Sequence, residues 1–175
     1  MLKKYFEPGA LFSYSAFRNM LISATLTSIA MSAFPIALAV TVLDAGGSAT
    51  TLGLILAARV LSGVVLAPVG GVWVDRMPRK TILILADGFR AIMGSVVIFI
   101  NPENISMWIL GGIVVLMGVS DAFGGPASGA IIPSILPDSL LPAGNVAHGI
   151  AKRTSTIIGP GIAGIIVVSL GTHAT

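Results

Sequence analysis

Apolar residues in this chain come in long blocks and do not alternate with polar ones at a helical or strand period. Residues 19–43 carry no charge, residues 154–175 none apart from a neutral His173, and residues 104–120 and 122–137 are parted only by Asp121. Such runs exceed what a globular core needs. At roughly 20 apolar residues per bilayer crossing they predict five membrane-spanning helices, near 19–43, 51–74, 81–100, 107–130 and 143–171. The intervening stretches, DAGGSAT at 44–50, VDRMPRK at 74–80, NPENIS at 101–106 and PSILPDSLLPAGN at 133–145, are short and rich in turn residues. The predicted organisation is an N-terminal segment 1–18, a transmembrane part 19–171 and a short end 172–175.

Composition agrees with this pattern. Of 175 residues 55% are hydrophobic and 10% charged, with a mean hydropathy of +0.98, too little polar surface to cover a soluble domain. The lipid bilayer is the expected solvent. The chain has no cysteine, which excludes disulfides and cysteine-based zinc or redox sites. A net charge of +3 could suggest nucleic acid, but no basic patch is interleaved with aromatic residues, so no nucleic-acid partner is expected.

The basic residues fall on alternate connections. Lys3, Lys4 and Arg18 precede the first span, Arg76, Arg79 and Lys80 lie between the second and third, and Lys152 and Arg153 stand at the start of the fifth. The stretches 44–50 and 101–106 hold none, so the positive-inside rule puts the N-terminus and the 74–80 stretch in the cytoplasm. A signal peptide is the competing reading, with Lys3 and Lys4 ahead of the apolar run and Ala37-Leu38-Ala39 as a cleavage site. The run is longer than the roughly 7 to 15 residues of a signal core, and more spans follow.

Arg59, Asp87, Arg90 and Asp121 fall inside spans, where a central charge costs about 2.5 to 3.5 kcal/mol, so they should face protein or water. At a rise of about 1.5 Å per residue Asp87 and Asp121 lie at similar depth, and Arg90 can pair with Asp87 one turn away or with Asp121 across helices. Asp87, Arg90 and Asp121 are thus either a structural cluster bracing helices two to four or a proton relay. Arg59, about 12 Å below the outer face, has no acid at its depth by this reckoning and either lines the cavity or snorkels outward. Lys152 and Arg153 are interfacial if the fifth span starts near 154 and enter the cavity if it starts near 143.

Orientation needs no particular spacing and no acid, yet the charged connection runs Gly71, Asp75-Arg76, Arg79-Lys80. It resembles the connection between helices two and three of major facilitator transporters, Gly-x-x-x-Asp-Arg-x-Gly-Arg-Lys/Arg, with Pro78 in place of the second glycine. The proline version followed by Asp87-Gly88-Phe89-Arg90 is similar to the drug, macrolide and siderophore exporter branch. GSATTLGLILAARVLSG at 47–63, SDAFGGPASGAIIPSILP at 120–137 and NVAHGIAKRTSTIIGPGIAG at 145–164 resemble the same branch's second, fourth and fifth helices.

That resemblance implies an all-α integral membrane protein, a major facilitator-type helical bundle with five of the six helices of an N-terminal half. It implies a small amphipathic substrate, export by alternating access, protons and a missing C-terminal half as partners, and a bacterial cytoplasmic membrane. Gly71, Asp75, Arg76, Arg79 and Lys80 would form a conformational latch, the aspartate capping a helix of the other half. On this reading the chain is truncated and inactive alone. A small five-helix assembly or regulatory subunit is the alternative.

Gly159-Pro160-Gly161-Ile162-Ala163-Gly164 matches the dinucleotide-binding spacing, but no strand precedes it, proline interrupts it and no acid follows Asp138. Gly159, Pro160 and Gly164 are expected instead to bend the fifth helix and let a neighbour approach, and Gly125 and Gly129 to pack the fourth. His148 and His173 are isolated, and serine has no base and acid around it. No enzyme site, metal or cofactor is expected.

Overall fold

The computed structural model describes residues 10–99 and 106–171. Lys3, Lys4, most of the stretch expected to be a loop at 101–106, His173 and the 172–175 end lie outside the described residues. Among the described residues five long helices follow one another: α1 (Ser15–Asp44), α2 (Ala49–Arg76), α3 (Arg79–Phe99), α4 (Met107–Ile135) and α5 (Leu141–Gly171), with 3₁₀ turns at Leu11–Ser13 and Asp138–Leu140. No strand occurs among the described residues.

The boundaries have local causes. After α1 the chain turns at Gly46, whose φ of 76° is a left-handed conformation that glycine adopts without strain, and the Gly47 N–H closes the turn on the Val42 carbonyl at 2.8 Å. Ser48 caps α2, its side chain accepting from the Thr51 N–H at 3.1 Å. Pro78 stops α2, and its carbonyl accepts from the N–H groups of Thr81 and Ile82 to start α3. Ser106 opens α4, accepting from the N–H groups of Trp108 and Leu110.

The helices are longer than the apolar runs that predicted them. The expected 74–80 loop shrinks to Met77 and Pro78, because the charged residues around them continue the two helices. The 133–145 stretch is largely absorbed by the end of α4, a 3₁₀ turn and the start of α5.

α1, α2 as far as Trp73, and α4 are each long and apolar enough to cross a membrane. α3 carries Arg79, Lys80, Asp87 and Arg90 among its 21 residues, and α5 carries its two charges, Lys152 and Arg153, ahead of an uncharged stretch that begins at Thr154. Large apolar side chains face outward around the helices, with Leu54 67%, Ile157 78% and Ile165 72% exposed. Such surfaces suit an apolar solvent.

The chain packs as two units, one of Ala37–Gly129 and one of Met1–Ile36 with Ala130–Thr175. In the first, α2 and α4 approach at small residues. A Cβ on Gly118 would run into the Arg59 carbonyl and the Ser62 hydroxyl, and one on Gly70 into the Ala122 carbonyl. The Ser62 hydroxyl lies 2.8 Å from the carbonyl of Arg59 and 3.0 Å from that of Val115 across the pair. In lipid, close van der Waals contact and polar bridges of this kind replace the hydrophobic drive for helix association.

In the second unit Phe17 is fully buried among Leu11, Ile132 and Leu136. α5 meets α1 at Gly159, where a Cβ would collide with the Ile29 carbonyl and the Ser32 hydroxyl. Beside it the Ser32 hydroxyl is 2.8 Å from the Ser155 carbonyl, and Ser155 is itself 1% exposed.

The glycine expectations are corrected in part. A Cβ added at Gly125, Gly129 or Gly164 would meet nothing within 4 Å; the close approaches in α4 are at Gly118 and Gly124 instead. α4 is apolar on every side, so its residue pattern does not reveal which face meets a neighbour. α5 runs as a continuous helix through Pro160.

Candidate functional site: a charge chain between helices

Four charged side chains form one chain across α2, α3 and α4. Arg59 donates from Nε at 3.2 Å and from Nη2 at 3.0 Å to Asp121 Oδ2. Arg90 donates from Nε to Asp121 Oδ1 at 2.9 Å and from Nη1 to Asp87 Oδ1 at 2.6 Å. The order Arg59, Asp121, Arg90, Asp87 alternates in sign and sums to zero, which lowers the cost of holding charge away from water. Both arginine side chains are nearly buried, at 10% and 11% exposure, while the side chains of Asp121 and Asp87 keep 30% and 32%.

The backbone makes room for this chain. Arg90 Nη2 donates to the Ser120 carbonyl at 3.1 Å, and the Ser120 hydroxyl donates to the Ala86 carbonyl at 2.9 Å, tying α4 to α3 on both sides of the ion pairs. The guanidinium of Arg90 lies against Gly124, where a Cβ would come within 3.1 Å of Cζ. Among the described residues no buried side-chain nitrogen or oxygen lacks a partner.

Arg59 corrects the depth argument. Its Cα is about 15 Å along α2 and that of Asp121 about 21 Å along α4, a gap of about 6 Å that an extended arginine side chain crosses. Arg59 is 8% exposed and paired, so it neither stands apart from every acid nor snorkels outward.

At the other end of α2 lie the residues of the charged connection. Asp75 and Arg76 occupy the last turn of α2, Arg79 and Lys80 the first turn of α3, and all four are exposed; Gly71 has open space beside it. The helix dipole favours cations at a C-terminus and anions at an N-terminus. Arg76 obeys that rule, whereas Asp75, Arg79 and Lys80 are each set against the dipole of their own helix.

Lys152 and Arg153 are exposed on the fourth turn of α5, which begins at Leu141. Within their unit the Ser155 hydroxyl lies 3.3 Å from the Thr25 carbonyl and the Ser155 carbonyl 2.8 Å from the Ser32 hydroxyl, so Lys152, three residues before Ser155, stands level with uncharged turns of α1.

The comparisons with known proteins agree with this picture. The profile of the Major Facilitator Superfamily matches residues 20–175. The chain is 36% identical over 121 residues to "Multidrug resistance protein 2" of Bacillus subtilis (strain 168), covering 68% of this chain and 29% of that protein. It is 25% identical over 126 residues to "Uncharacterized MFS-type transporter YfiS" of the same organism, covering 70% of this chain and 28% of that one. The chain thus matches under a third of the length of these curated relatives. No solved structure matches it. An all-α, multi-pass architecture, intramembrane ion pairs and a family match over nearly the whole sequence lead to one conclusion: this chain belongs to the Major Facilitator Superfamily, a family of membrane transporters.

Proposed function

We propose that this chain is the N-terminal part of a secondary active exporter of small amphipathic molecules, working by alternating access and coupled to protons. The observation that carries the reading is the alternating chain Arg59, Asp121, Arg90, Asp87 between three membrane helices. Intramembrane ionisable residues mark pathways and proton relays in transporters. Asp121 is the brace, since losing its charge removes one ion pair from each of two guanidinium groups on different helices. Asp87 stands at the end of the chain and exchanges the proton: neutralising it frees one contact of Arg90 while Asp121 keeps the helices tied.

The charged connection is the conformational latch. Gly71 leaves room beside α2, Asp75 caps a helix of a second half, and Arg76, Arg79 and Lys80 pair with acids there, which accounts for charges set against their own helix dipoles. A partly buried carboxylate at a helix N-terminus contributes up to about 2 kcal/mol, enough to bias a rocking motion without freezing it. Lys152 and Arg153 face the pathway, with Gly159 and Pro160 shaping α5 beside it. The N-terminus and the connection lie on the cytoplasmic side of the cell membrane, as their cations favour.

Most of each curated relative lies beyond the matched stretch, so the test provides the remaining helices in trans. Cells co-expressing this chain with a polypeptide carrying helices six to twelve are loaded with ethidium, and efflux is followed by fluorescence. Restored efflux that collapses with a protonophore is the expected result. Absence of efflux with both polypeptides in the membrane overturns the exporter reading, and efflux indifferent to the protonophore overturns the coupling.

A further inference from the structure

An apolar groove lies between α2, α3 and α4 next to the charged connection. It has a volume of about 310 Å³ and is lined by Trp73 and Met77 from α2 and its cap, Ile82 and Phe89 from α3, and Leu116 and Phe123 from α4 among others. Its wall holds one hydroxyl, that of Ser120, which is committed to the Ala86 carbonyl at 2.9 Å, and one indole N–H, that of Trp73. A substrate pocket of this size carries a few placed polar groups that orient the ligand. This groove offers only the Trp73 indole among otherwise apolar walls, which suits a hydrocarbon chain.

The cations stand at its mouth. Arg76 is three residues after Trp73 and Arg79 three before Ile82, so both continue helix faces that line the groove, and both are exposed. With Lys80 they outnumber the neighbouring acid Asp75 by two. Trp73 is 55% exposed, an aromatic side chain placed where apolar wall meets charged rim, as at a membrane interface.

We infer that the groove holds an acyl chain of an anionic phospholipid whose headgroup rests on Arg76 and Arg79. A neutral lipid could place a chain there but would gain nothing from the cations. A clustered pair of basic side chains at the membrane surface is the chemistry that selects anionic headgroups. Arg76 and Arg79 are also the cations assigned to the latch, so lipid and second-half acids compete for them; binding is read on this chain by itself, where its failure leaves the transport reading standing.

Brominated acyl chains quench a tryptophan they touch, and Trp73 lines the groove while the other tryptophan, Trp108, is 90% exposed at the start of α4. The full chain carrying Trp108→Phe is reconstituted in phosphatidylcholine vesicles containing a minor share of brominated phosphatidylglycerol or, separately, of brominated phosphatidylcholine. Anionic lipid is expected to occupy the groove about tenfold more than neutral lipid at low salt, with the preference falling at high salt. Arg76→Gln with Arg79→Gln should bring the two lipids to parity while circular dichroism still reports the helices. Equal quenching by the two lipids in the unsubstituted chain overturns the proposal, as does a preference that survives the double substitution. No quenching by either lipid in a folded sample overturns it too.

Discussion

Arg59 of α2 places two nitrogens, Nε at 3.2 Å and Nη2 at 3.0 Å, on the same carboxylate oxygen of Asp121 in α4. The other oxygen of Asp121 takes Arg90 of α3, so one carboxylate holds three helices. Asp121→Asn should therefore lower stability by roughly 2 to 3 kcal/mol, somewhat below a fully buried pair because Asp121 keeps 30% exposure. Asp87→Asn, which leaves Arg90 on Asp121, should cost about 1 kcal/mol or less. Thermal unfolding in one detergent ranks the two variants. An Asp87 variant as unstable as the Asp121 variant would sink the assignment of Asp121 as brace.

The α2–α4 approach makes a second ranking. Gly118→Ala and Gly70→Ala put a methyl group against backbone carbonyls that cannot turn aside, with an expected loss of about 1 to 3 kcal/mol each. Gly112→Ala, on the same helix as Gly118 but with nothing within 4 Å, should be neutral or stabilising by up to about 1 kcal/mol. The same unfolding assay decides, and equal effects at Gly112 and Gly118 would contradict the crossing.

Much of this was legible from the residues and some was not. Charge-free runs and turn residues located all five helices, and the spacing of Asp75, Arg76, Arg79 and Lys80 pointed to the family. The Asp87–Arg90 contact follows from their separation of three residues on one helix. Arg59 with Asp121 was hidden because depth was reckoned between Cα positions, which ignores the reach of an arginine. The packing glycines were hidden for another reason. Gly118 and Gly125 sit in equally apolar surroundings in α4, and which of them meets a neighbour depends on helix rotation, which an all-round apolar pattern does not encode.

Gly159 and Gly164 separate the functions that one glycine-rich stretch could serve. Gly159→Ala should weaken the α1–α5 contact, since the Ile29 carbonyl is fixed backbone, whereas Gly164→Ala meets open space. Stability should drop by about 1 to 3 kcal/mol for the first and stay level for the second in the same unfolding assay. The reverse order would mean that α5 packs on another face.

The chain has no cysteine, so single cysteines can be introduced without first removing any. If α5 presents Lys152 to a water-filled pathway, Lys152→Cys should react with a hydrophilic maleimide in membranes, because the thiolate needs water. Ile157→Cys, on a strongly exposed apolar face, should stay unreactive in lipid. Equal labelling at both positions would remove Lys152 from the pathway.

The most direct measurement concerns Met77, between the last turn of α2 and Pro78. A Met77→Cys chain is treated with a membrane-impermeant maleimide in right-side-out and in inverted vesicles. Labelling in inverted vesicles alone is the predicted result, with the protein retained in the membrane after alkaline carbonate extraction. Labelling from the outside, or release by carbonate, would contradict a polytopic chain whose basic connection faces the cytoplasm.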